Sequence, residues 1–239
     1  SYPSNDLMSW IGDLYTLWLP SPANLIFAMM MGFFILLLAM KVKWYLALPG
    51  AIAYGFSSYF FIIIGAGHIW KFITLSYIPP TIAGIVLCYR GRYLAGGALA
   101  ALFAMLQIAG NHIQMSYYFM FVVVGFVVAY AVILYRRHNI SQWVKATGAL
   151  AIAAVLAVAA NSPSLYNTYE YSKETMRGNH SELSGEGNAS AVNAGGGLNK
   201  DYITAWSYGK SETFTLLIPN VKGGATIKPE KGGNKLLSL

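Results

Sequence analysis

The stretch "AGNHIQMSYYF", residues 109–119, decides how the chain is read. Asn111, His112, Gln114 and Ser116 interrupt two long apolar runs, 93–110 and 115–135. Each run approaches the ~20 residues a helix needs to cross the hydrocarbon core of a bilayer. A short polar break between two such runs reads as the turn of a helical hairpin at a membrane surface. Working outward, the same pattern repeats. Further apolar runs lie at 23–40, 44–64, 72–89 and 143–160, making six.

Composition agrees. Of 239 residues, 56% are hydrophobic, 15% aromatic and only 10% charged, against about 25% charged in soluble domains. No Asp or Glu occurs between Leu14 and Tyr169, so the six runs carry no carboxylate. The fold class that follows is an all-α polytopic membrane protein with about six transmembrane helices. The net charge of +7 does not imply nucleic acid, because the bases are dispersed or sit at the ends of apolar runs. There topology explains them. Cys88, the one cysteine, lies inside an apolar run and reads as a small buried hydrophobe.

The loops assign sidedness. "KVK" at 41–43, "RGR" at 90–92 and "RRHNISQWVK" at 136–145 hold seven Lys or Arg. The alternate loops, "GAGHIWK" and "GNHIQ", hold only Lys71. The positive-inside rule puts the three basic loops in the cytoplasm. It puts 1–22, 65–71, 111–114 and everything from Asn161 outside. Three regions result: an outer segment 1–22, a six-span domain 23–160, and an extracytoplasmic segment 161–239. The chain starts with Ser1, "SYPSNDLMSW" does not read as a signal peptide, and the expectation is a piece of a longer protein.

Several features read as structural. Gly96, Ala100 and Ala104, and again Ala149, Ala153 and Ala157, form small-residue stripes that let helices approach. Pro79 and Pro80 are expected to break the third span and leave carbonyls unpaired. Trp10, Trp18, Trp70, Tyr117 and Tyr118 fit an outer aromatic belt. Trp44, Tyr45, Tyr89, Tyr93, Tyr135 and Trp143 fit an inner one. "SPSLYNTYEYSKETMRG" opens with Ser162 and Pro163 and reads as a short helix. The Gly-rich stretch 178–197 reads as a loop, and "LNKDYITAWSYGKSETFTLLIPN" as helical or mixed.

Candidate chemistry collects outside. His68 and His112, in successive outer loops, suit hydrogen bonding to a polar ligand. No cofactor is expected, although two histidines and a carboxylate leave a divalent metal as an alternative. Lys71 and Arg177 suit an anion such as a lipid phosphate, or simply snorkel to the surface. Asp6, Asp13, Glu170 and Glu174 are carboxylates available as a general base toward a hydroxyl, or ordinary surface charges.

Taken together, "LPSPANLIF", "AIAYGFSSYFFIIIGAGHIWK", "YIPPTIAGIVL", "GNHIQMSYYF", "YEYSKETMRG" and "DYITAWSYGKSETFTLLIPNVKGG" resemble a YfhO-type bacterial integral membrane protein. They resemble most the large multi-span variant of Gram-negative envelopes. That family is similar to the GT-C class of membrane glycosyltransferases. The resemblance implies a GT-C-like fold in the bacterial cytoplasmic membrane. It implies transfer of a sugar from a polyprenyl-phosphate donor to an envelope glycan or lipid on the non-cytoplasmic face. Lys71 and Arg177 would hold the carrier phosphate, and His68, Asn111, His112, Gln114 and Glu170 would line the sugar and acceptor pocket. The family's base usually follows its first span, which is expected upstream of this chain; Asp6 is the nearest candidate. A transporter, a flippase or an envelope-complex subunit is the alternative.

Overall fold

The structure, a computed structural model, describes residues 6–173 and Phe214. Among the described residues every regular element is a helix. They are α1 (Asp6–Tyr15), α2 (Ala23–Ala39), α3 (Trp44–Gly55), α4 (Ser58–Gly65), α5 (Ile69–Ser76), α6 (Ile78–Tyr89), α7 (Tyr93–Ala109), α8 (Ile113–Arg136), α9 (Ile140–Ala160) and α10 (Ser162–Lys173). All six apolar runs coincide with helices. Four segments are long and apolar enough to cross a membrane: Trp44–Gly65, Ile69–Tyr89, Ile113–Arg136 and Ile140–Ala160. Helices α2 and α7 are equally apolar but only 17 residues long, about 25 Å at 1.5 Å per residue. This is a multi-pass membrane protein.

The turns share one device. Lys41, Gly67, Gly91, Asn111 and His138 all have positive φ, and each lies two residues past a helix end. A left-handed residue there reverses the chain and lets the following amide reach back to the helix's last carbonyls. Val42, His68, Arg92 and Asn139 do so, donating to Leu37, Ile63, Leu87 and Leu134 at 2.9–3.0 Å. Asn tolerates this conformation better than most residues, which gives Asn111 a backbone reason to be where it is.

Helix α6 is the centre of the bundle, and the Ile69–Tyr89 span is the most buried of the four. It meets α7 at near-backbone distance. A Cβ on Gly84 would lie 2.5 Å from the Ala100 amide nitrogen, and one on Gly96 2.6 Å from the Cys88 nitrogen. The expected stripe on α7 is therefore used, against a matching Gly84–Cys88 pair on α6. The stripe on α9 is used too: Ala153 and Ala157 are buried, and Ala149 faces Gly97 of α7. Helix α2 packs on α3, where Gly55 meets Met30, and on the α5–α6 junction, where Gly32 meets Ser76 and Pro80. These registers make α2, α6, α7 and α9 neighbours around a core of small residues. Helix α8 packs on it through Tyr130, stacked on Tyr89 at 4.5 Å, and through the Val127 carbonyl, which accepts from Trp143 Nε1 at 3.0 Å.

The proline break falls where expected, with α5 ending at Ser76 and α6 starting at Ile78. Hydroxyls help to cover it. Thr81 donates both amide and hydroxyl to the Tyr77 carbonyl, and Ser76 Oγ donates to Ile73. The Ser76 carbonyl, which Pro80 cannot serve, lies against Gly32, where a Cβ would come within 2.8 Å. A second break, between α3 and α4 at Phe56 and Ser57, interrupts what the sequence presents as one run. Ser57 there is extended, with ψ 144°. The two breaks flank the 66–68 turn, so α4 and α5 form a hairpin of two eight-residue helices.

Helix α1 occupies the segment 1–22, where the sequence reading assigns no element. Leu7, Met8, Trp10, Ile11, Leu14 and Tyr15 carry its helical spacing. Met8 packs with Tyr77, Phe103 and Leu106, and Tyr15 Oη donates to the Ala28 carbonyl at 3.0 Å. The chain divides into compact units at 1–162 and 163–239. In the second, α10 confirms the short helix read after Ser162, with Thr168 Oγ1 bonded to the Ser164 carbonyl.

Candidate functional site

The bundle has two chemically different ends. At one end the basic loops meet. The Arg90 guanidinium donates to the carbonyls of Ala39 and Met40, tying the 90–92 turn to the end of α2. Gln142 Nε2 donates to the Tyr89 carbonyl at 2.7 Å, tying the start of α9 to the same turn. Loops 41–43, 90–92 and 137–139 are thus one surface.

The other end carries the turns 66–68 and 110–112. There α7 ends beside α5: a Cβ on Gly110 would lie 2.7 Å from Thr74 Oγ1. Gln107, only 3% exposed, directs Nε2 toward Ser116 Oγ at 3.5 Å. Ser116 lies one turn after His112, whose carbonyl accepts from the Met115 and Ser116 amides. His112 is half-buried, and its Nδ1 is a buried atom with no hydrogen-bond partner among the described residues. A buried polar atom left unpaired costs about 1–3 kcal/mol, so this nitrogen, like Asn24 Oδ1 at the start of α2, stands to gain from a polar partner.

The tetrad of 109–119 therefore splits by role. Asn111 is exposed and supplies the left-handed turn, with φ 52°. Gln114 is exposed and donates to Tyr118 Oη at 3.2 Å on its own helix. Only His112 and Ser116 are half-buried, and Ser116 meets Gln107. Of the other expected residues, His68 is exposed at the start of α5. Lys71 is half-buried, its Nζ 5.9 Å from the centre of the Tyr59 ring, a cation–π distance. Asp6 opens α1. Glu170 is exposed on α10, in the second unit. Arg177, Glu174, the stretch 178–197 and most of 198–220 lie outside the described residues. Among the described residues no three His, Cys, Asp or Glu come together to hold a metal ion.

Sequence reasoning missed Gln107 and Thr74. Gln107 is the one side-chain amide inside the run 93–110, and a polar side chain within a span is itself a signal. Asn161, 3% exposed and just past the run 143–160, was also missed; its Nδ2 donates to the carbonyls of Met105 and Ala157 and joins α9 to α7. No family model, curated protein or solved structure matches this chain.

Proposed function

We propose that this chain belongs to a YfhO-type, GT-C-like membrane glycosyltransferase with six spans in residues 23–160. It uses a polyprenyl-phosphate sugar on the non-cytoplasmic face of the bacterial cytoplasmic membrane. The acceptor is an envelope glycan or lipid. One observation carries the reading: the end of the bundle opposite the basic loops holds a buried His112 imidazole nitrogen with no partner among the described residues, and one turn further on Ser116 meets the buried Gln107. Such neutral donors and acceptors suit sugar hydroxyls, which need directional hydrogen bonds rather than charge. The carrier phosphate falls to Lys71, and the base to Asp6.

The test uses the full-length protein and a panel of polyprenyl-phosphate sugars. Transfer to lipid or glycan acceptors is expected, falling about 10- to 100-fold in His112→Ala, with the thermal midpoint little changed. A folded protein that transfers no sugar from any donor refutes the proposal.

A second reading has its own support. Transporters build binding sites from broken spans, and here the spans Trp44–Gly65 and Ile69–Tyr89 are both interrupted. A flippase for a lipid-linked sugar would move a fluorescent carrier across proteoliposomes without consuming it. The carboxylate-free spans leave such a transporter without the usual proton relay.

A further inference from the structure

The basic end is more than a marker of topology. Lys41, Lys43, Arg92, Arg136, Arg137 and Lys145 are all exposed there. Arg90 is committed to the carbonyls of Ala39 and Met40, and Gln142 to that of Tyr89, so the loops that carry these cations are held in one place. No carboxylate between Leu14 and Tyr169 is available to neutralise them. The cations are bordered by apolar and aromatic side chains that are themselves exposed: Trp44, Leu46, Leu94, Tyr135, Ile140 and Val144. Leu94, two residues past Arg92, is 89% exposed.

This border discriminates between partners. A nucleic acid or an acidic protein would meet the cations alone, because Leu46, Leu94 and Val144 lie in apolar helices whose exposed faces belong to lipid. An anionic phospholipid meets both layers at once, its phosphate at the Lys and Arg ammonium and guanidinium groups and its acyl chains at the apolar ring. We propose that the basic end binds anionic phospholipids in preference to zwitterionic ones, through loops 41–43, 90–92 and 136–145. Head-group charge supplies the preference; the apolar ring supplies affinity without selectivity. Fixing the loops through Arg90 and Gln142 lowers the ordering cost of gathering several cations around one or a few head groups.

The test places the purified protein in nanodiscs of equal phosphatidylglycerol and phosphatidylcholine. Native mass spectrometry then counts the lipids it retains. Phosphatidylglycerol should be enriched severalfold, and less so at high salt. Removing one cation is expected to lower the preference by up to about fivefold. The combination Lys41→Gln, Arg92→Gln and Arg137→Gln should bring it close to parity. The charge-conserving set Lys41→Arg, Arg92→Lys and Arg137→Lys should keep it. Equal retention of both lipids by the wild type overturns the proposal, as does an undiminished preference in the glutamine variant. Displacement of the bound lipid by a single-stranded oligonucleotide of equal charge overturns it as well. If the glutamine variant does not fold, the salt dependence of the wild type decides: a preference unaffected by salt is not electrostatic.

Discussion

Asn111 shows how one residue can look functional and act on the backbone. Its positive φ ends the α7 side of a hairpin, as Gly67 and Gly91 end others. A polar tetrad in an apolar sequence thus resolves into a turn residue, a surface amide and a half-buried pair, His112 and Ser116. Glycines divide just as sharply. Gly84 is pressed against the backbone of α7, whereas a Cβ on Gly125 of α8 would meet nothing within 4 Å. Gly84→Val is expected to cost about 3 kcal/mol through overpacking. Gly125→Ala should be neutral or gain up to about 1 kcal/mol in helix propensity. Thermal unfolding in detergent checks the pair; equal effects at both sites would contradict the packing described for α6 and α7. The α7 stripe was legible from its four-residue spacing. Its partner was not, because Gly84 and Cys88 form no run of small residues and only the docked helices reveal them.

At the scale of elements, the helices were legible because hydropathy and tight basic or polar loops bound them. Their ends were less so. Helix α8 begins at Ile113 and α9 at Ile140, a few residues before the apolar runs, because polar side chains in a first turn reach water without leaving the helix. Pro79 and Pro80 announce the break between α5 and α6 through chemistry. The break at Ser57 is marked only by Gly55, Ser57 and Ser58, too short a patch to interrupt the apolar run 44–64. Helix α1 was readable in principle from its i, i+3, i+4, i+7 spacing, but its short length hides it beside longer runs. Between elements, single polar contacts set register. Asn161 joins the last turn of α9 to α7 through Met105. Asn161→Ala removes two hydrogen bonds from a buried site and is expected to cost about 1–3 kcal/mol. Hydrogen exchange should rise first in the last turns of α9; a uniform rise across the bundle, or none, would contradict that role.

At the scale of the molecule, the bundle is polarised. One end gathers Lys and Arg on loops tied together by Arg90 and Gln142. The other presents the 66–68 and 110–112 turns, the buried Gln107 and the unpaired His112 nitrogen. Loop charge made this division legible before any coordinates, because basic residues recur at every second loop. The site itself was only half legible. The tetrad marks the end of the bundle that carries the His112 nitrogen, but Gln107 and Thr74 lie within apolar runs, and Glu170 belongs to the second unit. The glycosyltransferase proposal and the lipid proposal both use the polarity of the bundle, but only the first requires that the His112 end face away from the cytoplasm. Sidedness is therefore measured directly. In a Cys88→Ala background, Gln114→Cys and Ser141→Cys place one thiol at each end. A membrane-impermeant maleimide should label Gln114→Cys in intact cells and Ser141→Cys only after permeabilisation. Labelling of both from the same side, or of Ser141→Cys alone in intact cells, would contradict the account.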